Sequence, residues 1–233
     1  MTEQANQWAK GHVNGNKWNV WKALLIVGVI NAVIEGIIYA IFHIKINATE
    51  PSTTKTVADF IISIITAPIA IGLITYIVNL IKGKGFELEQ LFSKFGQFIR
   101  IAITIILEKI IVILFTLLLI IPGIIRECAY FLTNYILADP DFDDLSSTQI
   151  LDLSKRIMEG NKAEYFGMLI LWFLKLILGI FTLGIIWIWW IPEMQLAFAK
   201  YATDLIDSYK SQNGMNVPKA EIQEVHEAQP TEG

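Results

Sequence analysis

Seven ionisable side chains sit inside long apolar runs of this 233-residue sequence: Glu35, Glu108, Lys109, Arg126, Glu127, Lys175 and Glu193. A charge exposed at the centre of a hydrocarbon layer costs ~2.5 kcal/mol or more. Such groups must pair, face water or exchange a proton, and each option is a chemistry. Spacing sorts them. Asn31, Glu35, Tyr39 and His43 recur every four residues and line one helix face. Arg100, Thr104 and Glu108 make a second polar stripe, and Arg126, Tyr130 and Asn134 a third. The stripes are expected to face each other in a bundle. There they would act as ion pairs across helices, or as a path for a proton, an ion, a lipid headgroup or an amphipathic peptide. Arg126 and Glu127 are neighbours about 100° apart on a helix, so they need different partners. Glu35, near the middle of its run, is the best-placed carboxylate for proton uptake.

Other chemistries have no footing. HExxH, GxSxG, a Walker A loop and paired protease aspartates are all missing, so no catalytic residue is assigned and the chain is read as a non-enzyme. Asp139-x-Asp141-x-Asp143 starts like a calcium loop. It then puts Asp144 at the glycine position and Ile150 at the last glutamate position, so a solvated turn and helix-capping cluster is expected. The single Cys128 excludes an internal disulfide, and His12, His43 and His226 lack zinc-ligand spacing. No metal or cofactor is expected. No long basic run exists, so nucleic acid is not an expected partner. Asn47-Ala48-Thr49 fits a glycosylation tripeptide, relevant only in a eukaryotic secretory route.

The elements that must position these groups follow from composition. The chain is 54% hydrophobic and 17% charged, with net charge −4, and its mean hydropathy is +0.52. Soluble domains run about 45–50% apolar and about 25% charged. The excess is bunched into runs near the roughly 20 residues that cross a bilayer as a helix. The reading is an all-α polytopic membrane protein. Residues 1–19 form a cytoplasmic N-terminus. Spans lie at about 20–44, 57–81, 99–121, 124–138, 163–181 and 185–206. A cytoplasmic helix covers 146–159, and 207–233 form a disordered cytoplasmic tail. The stretch 87–98 reads as a short interfacial helix carrying Leu88, Leu91, Phe92 and Phe95 on one side. The fourth span is short enough to be re-entrant instead. Lysine and arginine set the orientation. With the N-terminus inside, Lys82, Lys94, Arg100, Lys155, Arg156, Lys162 and others share the cytoplasmic side, against only Lys45 and Lys55 outside. Trp187, Trp189 and Trp190 then fall at an outer aromatic belt. Gly28, Gly36, Gly72 and Gly167 are expected to allow close helix approach. Gly15-Asn16-Lys17 and Gly160-Asn161-Lys162 echo one another, each where the chain would turn into the membrane.

Several motifs carry a resemblance. Ile121-Pro122-Gly123-Ile124-Ile125, Tyr135-Ile136-Leu137-Ala138-Asp139-Pro140, Met158-x-Gly160-Asn161-Lys162 and Leu183-Gly184-Ile185 with Trp189 and Ile191-Pro192 are the main ones. Together with Gly15-Asn16-Lys17-Trp18 near the start, they resemble a domain-of-unknown-function family of six-span integral membrane proteins of Gram-positive bacteria. That family is similar in layout to the membrane domain of some glycerophosphodiester phosphodiesterases. The resemblance implies a bacterial cytoplasmic membrane location, a topology with both termini inside, and turn or packing roles for the motif glycines and prolines. It implies no catalytic residue. Glu193 departs from the aromatic the family often places after the membrane-exit proline.

Two function classes follow. One is a protein that binds or translocates a lipid or amphipathic substrate through a polar interior. The other is an accessory protein of a transporter or secretion complex, or an immunity factor against membrane-active peptides. The expected partners are the bilayer, and either a membrane protein or a second copy of the chain.

Overall fold

A computed structural model describes residues 1–44, 53–83, 87–118 and 120–213. Lys45, the Asn47–Thr49 tripeptide, His226 and residues 214–233 of the expected tail lie outside them. Every described element is helical: α1 (Thr2–Ile41), α2 (Thr53–Ile81), α3 (Phe98–Leu118), α4 (Ile120–Ala129), α5 (Thr133–Ala138), α6 (Ser147–Ile157), α7 (Lys162–Ile180) and α8 (Trp187–Asn213). Three of them, α1, α2 and α7, are long and apolar enough to cross a membrane. This is consistent with a membrane location.

The first difference from expectation is that residues 1–19 are not a separate arm. They are the first half of α1, which is 40 residues long, or about 60 Å at 1.5 Å per residue. Ala5, Ala9, Val13, Val20, Ala23 and Val27 are buried. They supply about one small apolar residue per turn, a stripe too thin to register as an apolar run yet sufficient for close packing against α8. The two helices run antiparallel, since Trp8 lies by Lys200 and Trp21 reaches Ile188. The latter contact compensates a proline. Pro192 lies inside α8, and its ring nitrogen cannot donate to the carbonyl four residues back. That carbonyl belongs to Ile188, and it accepts from Trp21 Nε1 at 2.9 Å.

Gly15-Asn16-Lys17 therefore marks no turn. Gly160 does, at φ +83°, where it ends the chain's run through α6. Leu183 (φ +52°) and Gly184 (φ +80°) form the expected turn between α7 and α8.

Residues 88–98 form no interfacial helix. They make two 3-10 turns, Leu88–Phe92 and Phe95–Gln97. Leu91 is fully buried while Leu88, Phe92 and Phe95 are exposed, so the expected shared face is split. The cause is Gly72 of α2. A Cβ there would lie 2.6 Å from the Leu91 carbonyl carbon and 2.9 Å from its Cα, so the Leu91 backbone docks on the bare helix surface. Gly28, Gly36 and Gly167 have nothing within 4 Å of such a Cβ and mark no close approach.

The third and fourth expected spans also change. α4 folds back on α3, with a Cβ at Gly123 falling 2.9 Å from Thr116 Cα. Pro122 does not end a helix but sits in the first turn of α4, where its missing N–H costs nothing. Residues 124–138 are not one helix, because the chain breaks at 130–132 before α5. Leu132, Thr133, Ile136, Leu137 and Ala138 are then buried as the centre of the core. Helix α6 begins after Ser146, whose backbone N–H donates to Gln149 Oε1 at 2.9 Å. Helix α8 continues to Asn213, so 207–213 are helical rather than tail. Leu205 and Ile206 are buried and anchor these last turns.

Candidate functional site

A cleft of about 550 Å³ opens between α1, α7 and α8. This lies within the usual ~300–1,000 Å³ of small-molecule sites. A second cleft between α2, α5 and α8 holds only about 170 Å³. The larger one is lined by Thr2, Glu3, Asn6, Gln7 and Lys10 of α1, by Glu164, Gly167, Met168, Leu171 and Lys175 of α7, and by Glu193 of α8.

Several of these polar groups are held from behind. Lys175 Nζ stands 3.3 Å from Glu193 Oε1 and 3.8 Å from the centre of the Trp172 ring, a cation–π contact. Trp172 is buried, and its indole N–H donates to Asn6 Oδ1 at 3.0 Å. Glu164 Oε1 accepts from the Thr2 backbone N–H at 2.9 Å and from Thr2 Oγ1 at 3.1 Å, and pairs with the Met1 amine at 2.9 Å. The result is two ammonium groups, Lys10 and Lys175, and three carboxylates, Glu3, Glu164 and Glu193, beside the apolar side chains of Met168 and Leu171.

The sequence singled out Lys175 and Glu193, and the structure brings them together. The other candidates go elsewhere. Lys109 and Glu127 meet at 4.0 Å on an exposed surface. Arg126 stacks over the Phe115 ring at 4.1 Å. Glu108 is buried in α3. Tyr39 is buried and donates to Asp59 Oδ1 of α2 at 2.6 Å. Asn31 is half-buried, with no hydrogen-bond partner for Oδ1 among the described residues. Glu35 is exposed. The first stripe thus meets α2 and not the other two; the second is buried at Thr104 and Glu108 and ends at Arg100; and the third packs against α3, the helix that carries the second, with Arg126 over Phe115 and Tyr130 close to Glu108. The Arg100 guanidinium donates to the carbonyls of Phe142 (2.9 Å), Asp143 and Leu145 (3.2 Å).

Sequence reasoning missed the α1 side of the cleft, because Glu3, Asn6, Gln7 and Lys10 lay in a stretch read as a cytoplasmic leader. It also underrated the aspartates. Asp139 does cap its turn, accepting from the Asp141 N–H at 3.1 Å. It is not simply solvated, however, since Lys210 Nζ reaches both Asp139 Oδ2 and Asp141 Oδ2 at 2.6 Å. Lys94, nearly buried, pairs with Asp143 at 3.3 Å. Among the described residues no group of three or more His, Cys, Asp or Glu could hold a metal ion.

Burial alone would lower the Lys210 ammonium, but the two aspartate carboxylates outweigh it and raise its pKa above the ordinary 10.5. A cation raised on folding stabilises fully below its unfolded pKa and loses that contribution as pH climbs through the folded value. Lys210→Met should therefore lower stability at neutral pH. It should also flatten the decline in melting temperature above about pH 10.5, read by thermal unfolding in detergent across pH 7–12. An unchanged alkaline slope would show that the contact adds nothing.

Comparison with protein families matches residues 109–207 to a family described as "Protein of unknown function (DUF975)". The matched stretch includes the α7 and α8 sides of the cleft and excludes the α1 side. Comparison with curated proteins and comparison with solved structures each gave no match.

Proposed function

We propose that this chain is a non-catalytic, multi-pass protein of the bacterial cytoplasmic membrane that binds, and through binding moves, a lipid or other amphipathic molecule. The observation that carries the reading is the Lys175–Glu193 pair on the wall of the α1–α7–α8 cleft, 3.3 Å apart. An apolar helix holds a charged pair there at a desolvation cost. Supporting it are the exposed Leu25, Val29, Val33, Ile37 and Ile41 of α1, one apolar stripe suited to acyl chains.

The test is a double-mutant cycle. Lys175→Met or Glu193→Gln leaves one charge unpaired, and breaking a buried pair costs about 3–5 kcal/mol. Lys175 keeps 30% of its side chain exposed, so roughly 2 kcal/mol is expected for each single variant. The double variant should recover most of that stability yet lose the rise in melting temperature that the wild type shows on adding lipid to detergent micelles. An equal lipid response from wild type and double variant would remove the cleft from the mechanism.

A further inference from the structure

The α3–α4 hairpin, α6 and the start of α7 border another cleft, of about 310 Å³, lined by Phe115, Pro122, Ile125, Arg126, Ala129, Lys155 and Lys162. Its charge is one-sided. Arg126, Lys155 and Lys162 come from three different helices, and among the described residues none of them makes an ion pair with a carboxylate. The adjacent Glu127 is directed to Lys109 instead. Three like charges drawn to one cleft repel one another, a cost that an anion would relieve. The remaining walls are apolar. Phe115 supports the Arg126 guanidinium from one face at 4.1 Å, the Tyr130 hydroxyl takes one of its N–H donors, and the remaining edge donors suit the oxygens of an anion. Pro122 and Ile125 continue into the exposed apolar side chains Leu117, Ile121 and Ile124. A ligand seated here meets cations at one end and a hydrocarbon-like surface at the other.

We infer that this cleft is a binding site for a phosphate-bearing anion, with the headgroup of an anionic phospholipid as the chemistry that also satisfies its apolar wall. It is separate from the α1–α7–α8 cleft and does not depend on it. All its lining residues fall within the stretch that matches the family, 109–207. Pro122 and Lys162 also belong to the motifs by which the sequence resembles that kind of protein.

The experiment uses the full chain in neutral detergent and follows melting temperature and direct binding with three probes: phosphatidylglycerol, phosphatidylcholine and inorganic phosphate. Phosphatidylglycerol should stabilise the wild type, and Arg126→Gln/Lys155→Gln/Lys162→Gln together should weaken its binding on the order of a hundredfold. Lys155→Gln alone changes an exposed side chain that makes no ion pair, so it cannot act by unfolding and should still weaken binding about fivefold. Phosphatidylcholine should bind equally to wild type and variants. If inorganic phosphate alone reproduces an effect that the triple variant loses, the site stands and its source is a free phosphate. Binding of phosphatidylglycerol that is unchanged in the triple variant, or no response to either anion, overturns the inference.

Discussion

Gly72→Ala should lower the melting temperature steeply and shift the protein towards aggregation on extraction, although it adds a single methyl group. The added carbon would lie within 3 Å of the Leu91 carbonyl carbon and Cα. A backbone cannot rotate away as a side chain can. α2 and the 88–92 turn must separate, and Leu91, fully buried now, loses its seat. Overpacking of a core costs about 1–3 kcal/mol and occasionally more; contact with backbone places this case at or above roughly 3 kcal/mol. Gly28→Ala, on a helix surface with nothing near, is the internal control and should be neutral or slightly stabilising. If both variants melt together with the wild type, the docking of 88–92 on α2 is wrong.

Arg100→Met should be comparably severe, for the opposite reason. One guanidinium holds three carbonyls, those of Phe142, Asp143 and Leu145, and stands 3.6 Å from the Asp143 carboxylate. The Asp143 side chain is 39% exposed, so its ion pair contributes little. The carbonyl contacts dominate, at about 1.5–3 kcal/mol for a hydrogen bond to a charged group. A loss of about 3 kcal/mol is expected from their combined removal, after allowing water to satisfy part of the turn. Arg100→Lys keeps the charge, but its shorter side chain falls short of the Nη1 position where all three carbonyls meet, and it should recover less than half of the loss. Urea unfolding followed by tryptophan fluorescence reads both. A full recovery by lysine would make charge, not geometry, the relevant property.

Bulk hydropathy made the apolar runs legible because burying or lipidating twenty consecutive apolar residues dominates every other term. The turn at Gly160 and the Thr182–Gly184 connection were legible too, since left-handed backbone selects glycine. What stayed hidden was pairing. The alanine stripe of α1 is diluted by Lys10, Asn16 and Lys17, so its contact with α8 left no hydropathy signal. The polar stripes were correctly placed on helix faces, but spacing along one helix does not name the neighbour. Thus α2 covers Tyr39 and leaves Glu35 exposed, and Arg100 serves a turn more than forty residues later. Of the candidate site, Lys175 and Glu193 were visible as charges in apolar context. Their meeting depended on the α7–α8 hairpin bringing back residues eighteen apart.

The proline in α8 has a consequence for biogenesis. Because Pro192 withholds the N–H that the Ile188 carbonyl would otherwise receive, the last helix leaves the ribosome with a hydrogen-bonding vacancy it cannot fill itself. The donor, Trp21, was synthesised near the beginning of the chain and must still be accessible when residue 188 emerges. Within the packed α1–α8 contact, one bond therefore has α1 supply the donor that Pro192 lacks. A fragment beginning at residue 109 would carry that vacancy without Trp21 to fill it.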